Sequence, residues 1–469
     1  MKEKKVLFAA AAVMAVMTII TGCQKKSLLD KNDPVTIKVW HYYTGEQQAA
    51  FDELVDEFNL TEGKEKGIFV EGQSQGSVSD LSRNISDSIS GKAGAEELPD
   101  IFAGYPDMVY MADKEGCVAD LSGYFSGEEL DEFVDGYLQE GYMGDGDVLK
   151  SIPVAKSVEL FSLNKTDWDK FARETGAEIE TLESVEGIVK TAEAYYEWSG
   201  GKAFFGRDSM ANYMIIGYRQ LAGDIFKVEN GKASLSFDRD VLKTLWDNYY
   251  VPYVKGYFAS VGRFRSDDIK MGDILCYVGS SSGAIYMPQE VVLSDDESYP
   301  IEMITMPGPE FENGEAYAVQ QGAGMAVTNG NKKSVLASVE FLKWFTQDKQ
   351  NIRFAVASGY LPVKKSASNM DAITKNVEMS GTVAQAIESS LETISENNMY
   401  AVKGFENATD VRNLLGDAME ICAQQDREKV EENMAAGMTL EEAAAPFLQE
   451  TYFDGWYESV KEQLEEMLD

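Results

Sequence analysis

The chain has 469 residues and a formal net charge of −37, from 79 acidic residues against 42 Lys and Arg. A surface so acidic repels nucleic acid and anionic lipid headgroups, which excludes general binding to either. Hydrophobic residues make up 44%, enough to exclude wholesale disorder, and the length exceeds what one core normally serves, so two domains or lobes are expected.

The first element in chain order is a leader. Lys2, Lys4 and Lys5 precede an apolar run from Val6 to Ile20, which Thr21-Gly22-Cys23 closes. A basic start, an apolar run and small residues before a cut site describe a secretory signal. The run falls short of the roughly 20 apolar residues of a membrane span. A cysteine directly after Gly22 resembles a bacterial lipobox, with cleavage before Cys23 and lipidation of its thiol. Residues 1–22 are therefore read as leader, and 23–33 as lipidated cysteine and polar tether. Two acyl chains would anchor the body stably at the outer face of the cell membrane. An ordinary cleaved signal with a chance cysteine is the alternative.

Val35 to Trp40 alternates β-branched and polar residues, as a strand does. Phe51, Leu54, Val55 and Phe58 have helical spacing. Ile68 to Val70 predicts a strand, Val78, Leu81, Ile85 and Ile89 a helix, and Asp100 to Ala103 a third strand. This alternation predicts an α/β lobe with a mostly parallel sheet. Ser151 to Leu163 is strand-like and continuous. Helices follow at Leu182–Trp198, Ser209–Leu221 and Asp238–Tyr250, with Trp246 expected in the core. Strands are expected at Ile274–Val278, Ile301–Thr305 and Tyr317–Thr328, the last broken at Gly322-Ala323-Gly324. Val335, Val339 and Leu342 mark another helix. The last hundred residues read as helical and acidic, with a capping box at Thr439 and Glu442 and an exposed helix end over Glu458–Asp469.

Side-chain chemistry is restricted. His41 is the only histidine, so a multi-histidine metal site is excluded and any Ser-His-Asp or Cys-His site would need it. With Cys23 lipidated, Cys117, Cys276 and Cys422 allow at most one disulfide. None lies in a CxxC pair, and they are read as small hydrophobes with pairing left open. No metal or cofactor is expected. Carboxylate-only chemistry, as in a glycoside hydrolase, stays open.

Several segments together resemble the extracellular solute-binding proteins of family 1, the lipoprotein receptors of carbohydrate-type ABC importers, a group that includes the maltose-binding proteins. They are Val35–Trp40 with its following helix, Leu98-Pro99-Asp100-Ile101, Ile152–Ala155 with Asn164-Lys165, Ser358–Val363, and Met438–Ala443. The resemblance implies two α/β lobes joined by crossing strands, with ligand in the cleft. It implies an N-terminal lobe of 34–153 and 324–360 and a C-terminal lobe of 156–320 and 364–469. The expected hinge residues are Pro153, Gly322, Gly324 and Tyr360. The chain departs from the family at Tyr277–Ser282, where small hydroxyls replace a frequent pocket aromatic.

Ligands of open α/β sheets bind beyond the carboxyl ends of strands. The first such loop offers Trp40, His41, Tyr42, Tyr43, Thr44 and Glu46 for ring stacking and hydroxyl recognition, although Trp40 or Tyr42 would equally serve as core. Gln73, Ser74 and Gln75 follow the second strand, and Tyr105 and Asp107 the third, where Asp107 would equally cap a helix. The other lobe offers Lys156, Glu159, Arg207, Asp208, Asn212, Gly279, Ser280, Ser281 and Gln321, with Arg207 able to clamp an anion or to form a surface pair. The resemblance implies a monomeric, non-enzymatic binding protein. It would capture a sugar or oligosaccharide, close, and deliver it to a membrane permease. An anionic polyol such as glycerol-3-phosphate, motivated by Arg207 and Lys156, is the alternative; a surface-anchored glycoside hydrolase is a third.

Overall fold

The computed structural model describes residues 28–144, 148–229 and 231–468. The leader and Cys23 lie outside them. In chain order, the strands of the two main sheets are β1 (Val35–His41), β2 (Ile68–Ser74), β3 (Ile101–Gly104), β4 (Ser151–Pro153), β5 (Ser157–Asn164), β6 (Phe205–Arg207), β7 (Cys276–Ser280), β8 (Met303–Pro307), β9 (Tyr317–Gln321), β10 (Gly324–Val327) and β11 (Asn398–Tyr400). The helices used below are α1 (Gly45–Leu60), α2 (Val78–Ile89), α3 (Pro106–Lys114), α4 (Met210–Ala222), α5 (Arg239–Val254), α6 (Lys332–Phe345), α7 (Asp348–Ser358), α8 (Gly381–Glu396), α9 (Ala408–Ala435) and α10 (Glu450–Leu468).

The fold is the expected two-lobed α/β architecture. One sheet has the order β2-β1-β3-β10-β4; the other runs β11-β9-β5-β7-β6, with β8 also on β5. Both are mixed. β1 pairs in parallel with β2 and β3, but β10 is antiparallel to β3 and β4. The reason is the path of the chain. β4 leaves the first sheet toward the second, whereas β10 returns from it, so the two must run in opposite directions. The same holds for β5 and β9, which pair antiparallel.

Each sheet carries its own core. α1 buries Phe51, Leu54, Val55 and Phe58, the four residues its spacing selects, against β1 and the α6 residues Phe341 and Phe345. The second core gathers Phe161, Trp168, Tyr213, Trp246, Leu415 and Leu464. Trp246 is stacked on Tyr250 with centroids 3.5 Å apart, in the core as expected. α10 is more than an exposed helix end, because Phe453, Trp456, Tyr457, Val460 and Leu464 are buried. The Thr439–Glu442 capping box forms, and Cys117, Cys276 and Cys422 are free. Among the described residues, no helix is long and apolar enough to cross a membrane.

Three segments cross between the sheets, and they lie side by side. Lys156 and Leu361 exchange backbone hydrogen bonds of 3.2 and 2.7 Å. Asn351 clamps the first and third crossings. Its Nδ2 donates to Val154 O at 2.6 Å, and its Oδ1 accepts from Val363 N at 2.8 Å. The middle crossing needs glycine at 322, where φ is 92° and a Cβ would stand 2.5 Å from the carbonyl oxygen of Ala155. The strand expected over Tyr317–Thr328 is thus two strands in different sheets, parted at that glycine.

Candidate functional site

A cavity of about 290 Å³ lies between the two sheets. One wall begins where β3 ends. Tyr105 occupies the N-cap of α3 with Pro106 at its first position, which fixes the turn and turns Tyr105 and Asp107 into the space. Ser79 and Ser82 of α2 extend this wall, and Glu140 closes its deep end. The opposite wall is built from Asn212 and Ile215 of α4, Gln320 and Gln321 at the end of β9, Tyr400 to Lys403, Phe405, and the first turns of α9 with Thr409, Arg412 and Asn413. Aromatic faces and hydrogen-bonding groups therefore alternate around one space. That suits a solute with apolar ring faces and polar edges.

The walls also touch. Thr409 Oγ1 donates to Asp107 Oδ2 at 2.5 Å, Lys114 pairs with Glu406 at 2.8 Å, and Tyr110 OH donates to Gly231 O at 3.2 Å. Gly404 permits a close approach of backbones, since a Cβ there would stand 2.3 Å from the carbonyl oxygen of Pro106.

Behind the cavity sit two buried ion pairs. Lys156 Nζ contacts Glu140 Oε2 at 2.6 Å and the carbonyl oxygen of Gly322 at 2.5 Å, and Gln320 donates to the same carboxylate oxygen. Arg207 is paired with Glu159, whose other oxygen accepts from Asn212 Nδ2 at 2.7 Å. The Asn212 Oδ1 in turn accepts from Arg412. A polar relay thus runs from β5 to the cavity wall. Burial pulls Arg412 below the ordinary arginine value. Burial likewise pushes the Tyr105 and Tyr42 phenols well above theirs. Asp208 is pushed up to about 6 by burial, against the opposing hydrogen bond from Arg265 N at 2.8 Å.

Of the residues singled out by sequence, the structure brings Tyr105, Asp107, Asn212 and Gln321 to the cavity. Lys156, Glu159 and Arg207 stand one layer behind, already paired, so neither cation is free to clamp an anion. The loop after β1 turns inward instead. Trp40 is buried and its Nε1 donates to Gln73 Oε1 at 2.8 Å. His41 and Tyr43 are buried beside Phe51. Tyr42 lies at the crossings, with its hydroxyl 3.5 Å from that of Tyr360 and accepting from Ala323 N at 3.3 Å. Thr44 and Glu46 are exposed away from the cavity. Ser74 bonds the carbonyl of Tyr43, and Gln75 accepts from Asn84. Ser280 Oγ donates to Ser157 Oγ at 3.1 Å, Ser281 Oγ accepts from Val158 N, and a Cβ at Gly279 would press on Asp208. These serve the second sheet and its junction with the crossings. Sequence reasoning passed over Glu140, Tyr400, Lys403, Thr409 and Arg412. Arg412 did carry a signal, being the lone arginine between Arg353 and Arg427 in an acidic stretch, but nothing local said which way it faces.

A family model described as bacterial extracellular solute-binding protein matches residues 53–381. No curated protein matches by sequence. Among solved structures, UgpB from Mycobacterium tuberculosis in complex with glycerophosphocholine is similar at 16% identity and a TM-score of 0.70, covering 93% of this chain and 98% of that one. The cyclic α-maltosyl-1,6-maltose binding protein from Arthrobacter globiformis gives 19% identity and 0.66, covering 92% and 99%. Maltose-bound MalE3 from T. maritima gives 13% and 0.63, covering 91% and 99%. At such identities the likeness establishes the shared fold.

Proposed function

We propose that this chain, which belongs to the bacterial extracellular solute-binding protein family, captures a carbohydrate-type solute between its lobes and hands it to the permease of an ABC importer. The supporting observation is the 290 Å³ cavity, walled by both lobes and backed by three crossings that lie side by side. Tyr105, Tyr400 and Phe405 offer ring faces, and Asp107, Asn212, Gln321 and Asn413 offer hydrogen bonds at the edges. Polar groups stranded on closure are costly, so this pattern of partners sets specificity. The ligands in the related structures, two maltosyl sugars and glycerophosphocholine, agree with a polyhydroxylated solute.

In this reading the lobes comprise 34–153 with 324–360 and 156–320 with 364–469. Pro153, Gly322, Gly324 and Tyr360 act as the hinge, and Cys23 carries the lipid that keeps the body at the outer face of the membrane. Bending at so few residues moves the lobes as rigid bodies, because each keeps its own core. The test is thermal unfolding of the protein beginning after Cys23, with a panel of sugars and polyols. A solute at 100 times its Kd adds about 2.7 kcal/mol of stability. A rise in Tm with a smaller radius of gyration supports the reading. A rise without compaction refutes closure.

A further inference from the structure

The charges lining the cleft depart from those of the chain around them. Glu140 is neutralised by Lys156, which leaves Asp107 facing two cations, Arg412 and Lys403. Asp107 already accepts from Thr409. Arg412 is different. Its guanidinium makes one hydrogen bond, to Asn212 Oδ1, and joins no ion pair among the described residues. A guanidinium has five N–H donors in a rigid fork, so most of that fork is left to the cavity that the side chain lines.

This is exceptional in a chain with 79 acidic residues. Arg83, Arg207, Arg219, Arg239, Arg265, Arg353 and Arg427 each pair with a carboxylate. Arg173 and Arg263, which pair with none among the described residues, are exposed. Arg412 alone is recessed into a cavity wall, shared with Phe405 and Tyr105, and joins no salt bridge among the described residues, although Asp107 and Glu159 act on it from a distance. Keeping a cation there costs desolvation that the fields of Asp107 and Glu159 offset only in part, and an anion in direct contact would recover more of it.

We propose that the solute carries an anionic oxygen group, a carboxylate, phosphate or sulfate, that docks on Arg412, with Lys403 at the rim. The inference rests on the solute-binding reading above and adds the charge of the solute to it. Two parallel N–H···O bonds from Arg412 would hold the group in one orientation, away from Asp107. The sugar or polyol part would then lie toward Asp107 and Tyr105.

The experiment pairs acidic with neutral probes in thermal unfolding and calorimetry on the protein beginning after Cys23. The pairs are glucuronate with glucose, digalacturonate with maltose, and glycerol-3-phosphate with glycerol; inorganic phosphate and sulfate are run alone. An acidic member should raise Tm where its neutral counterpart does not, and added salt should weaken it. Which acidic arm responds separates carboxylate from phosphate and sulfate. Arg412→Gln should lose about 10–150-fold in affinity for that member, and Arg412→Lys, which keeps charge but not the fork, should retain part of it. Without ligand, Arg412→Gln should melt close to wild type, because a desolvated charge is removed while the Gln amide keeps an N–H donor for Asn212. Should Arg412→Gln fail to fold, the loss in Arg412→Lys decides. A neutral sugar binding as tightly as its acidic partner, with affinity unchanged in both variants, overturns this inference and leaves the solute-binding reading intact. A panel in which no member moves Tm counts against both.

Discussion

Replacing His41 tests the physical account of the first lobe with little interference, because it is the only imidazole in the chain. The side chain is fully buried between Tyr43 and Phe51. Its Nδ1 accepts from Tyr43 N at 3.2 Å, so the proton sits on Nε2, which has no acceptor among the described residues. Protonation would break that bond and bury a cation. Burial accordingly lowers the pKa to about 4, from 6.5. The folded-state value is the depressed one, so the stabilisation is complete above the unfolded value of 6.5 and is lost as pH falls from there toward 4. From those two values His41 alone removes about 2 kcal/mol between pH 8 and pH 5. Asp208, raised to about 6, works in the opposite direction over part of this range. The informative quantity is therefore a difference: urea unfolding of wild type and of His41→Phe at pH 8 and pH 5. Wild type should lose about 2 kcal/mol more than the variant. NMR of the single imidazole should show no titration down to pH 5. Parallel stability curves, or a midpoint near 6.5, would falsify the reasoning.

Three other outcomes follow from the same structure. Lys156→Met strands the buried Glu140 carboxylate and should cost about 3–5 kcal/mol in denaturant unfolding, with the Glu140→Gln double variant recovering much of it; equal losses in single and double variants would deny the pair its role. Gly322→Ala places a Cβ 2.5 Å from a backbone oxygen at φ 92°. It should lower Tm by the equivalent of about 1–3 kcal/mol or more, and small-angle scattering should show a changed lobe arrangement; an unchanged Tm would refute the close packing of the crossings. Tyr105→Ala removes a cavity face while the α3 backbone stays intact, so calorimetry on the folded variant should record weaker solute binding, with a loss of stability from the vacated packing against Tyr42 read separately by unfolding; binding at wild-type affinity would move the site elsewhere.

What the sequence determined by itself was local and periodic. The apolar spacing of Phe51, Leu54, Val55 and Phe58 named the buried face of α1, and the Thr439–Glu442 pair marked a helix start, because both are set within two turns of one helix. Order along the first hundred residues was enough to expect one α/β lobe, since alternating strands and helices can bury their apolar faces in few ways, while two such lobes came from chain length and the family resemblance. The cavity lining was legible at strand ends and helix starts, as at Tyr105, Asp107, Asn212 and Gln321. Tertiary structure decided the remainder. Whether Trp40 or Tyr105 faced the cleft depended on what packed beneath, and Gln73 took the Trp40 indole. Whether Arg207 clamped an anion or formed a pair stayed open until β5 brought Glu159 to meet it, as the wall behind α3 brought Glu140 to Lys156. Arg412 drew no notice in the sequence, and only the packing of α9 against α4 and the turn after β3 set it at the cavity. A charge's availability is a property of every element within a few ångströms, and those neighbours lie up to hundreds of residues away in the chain.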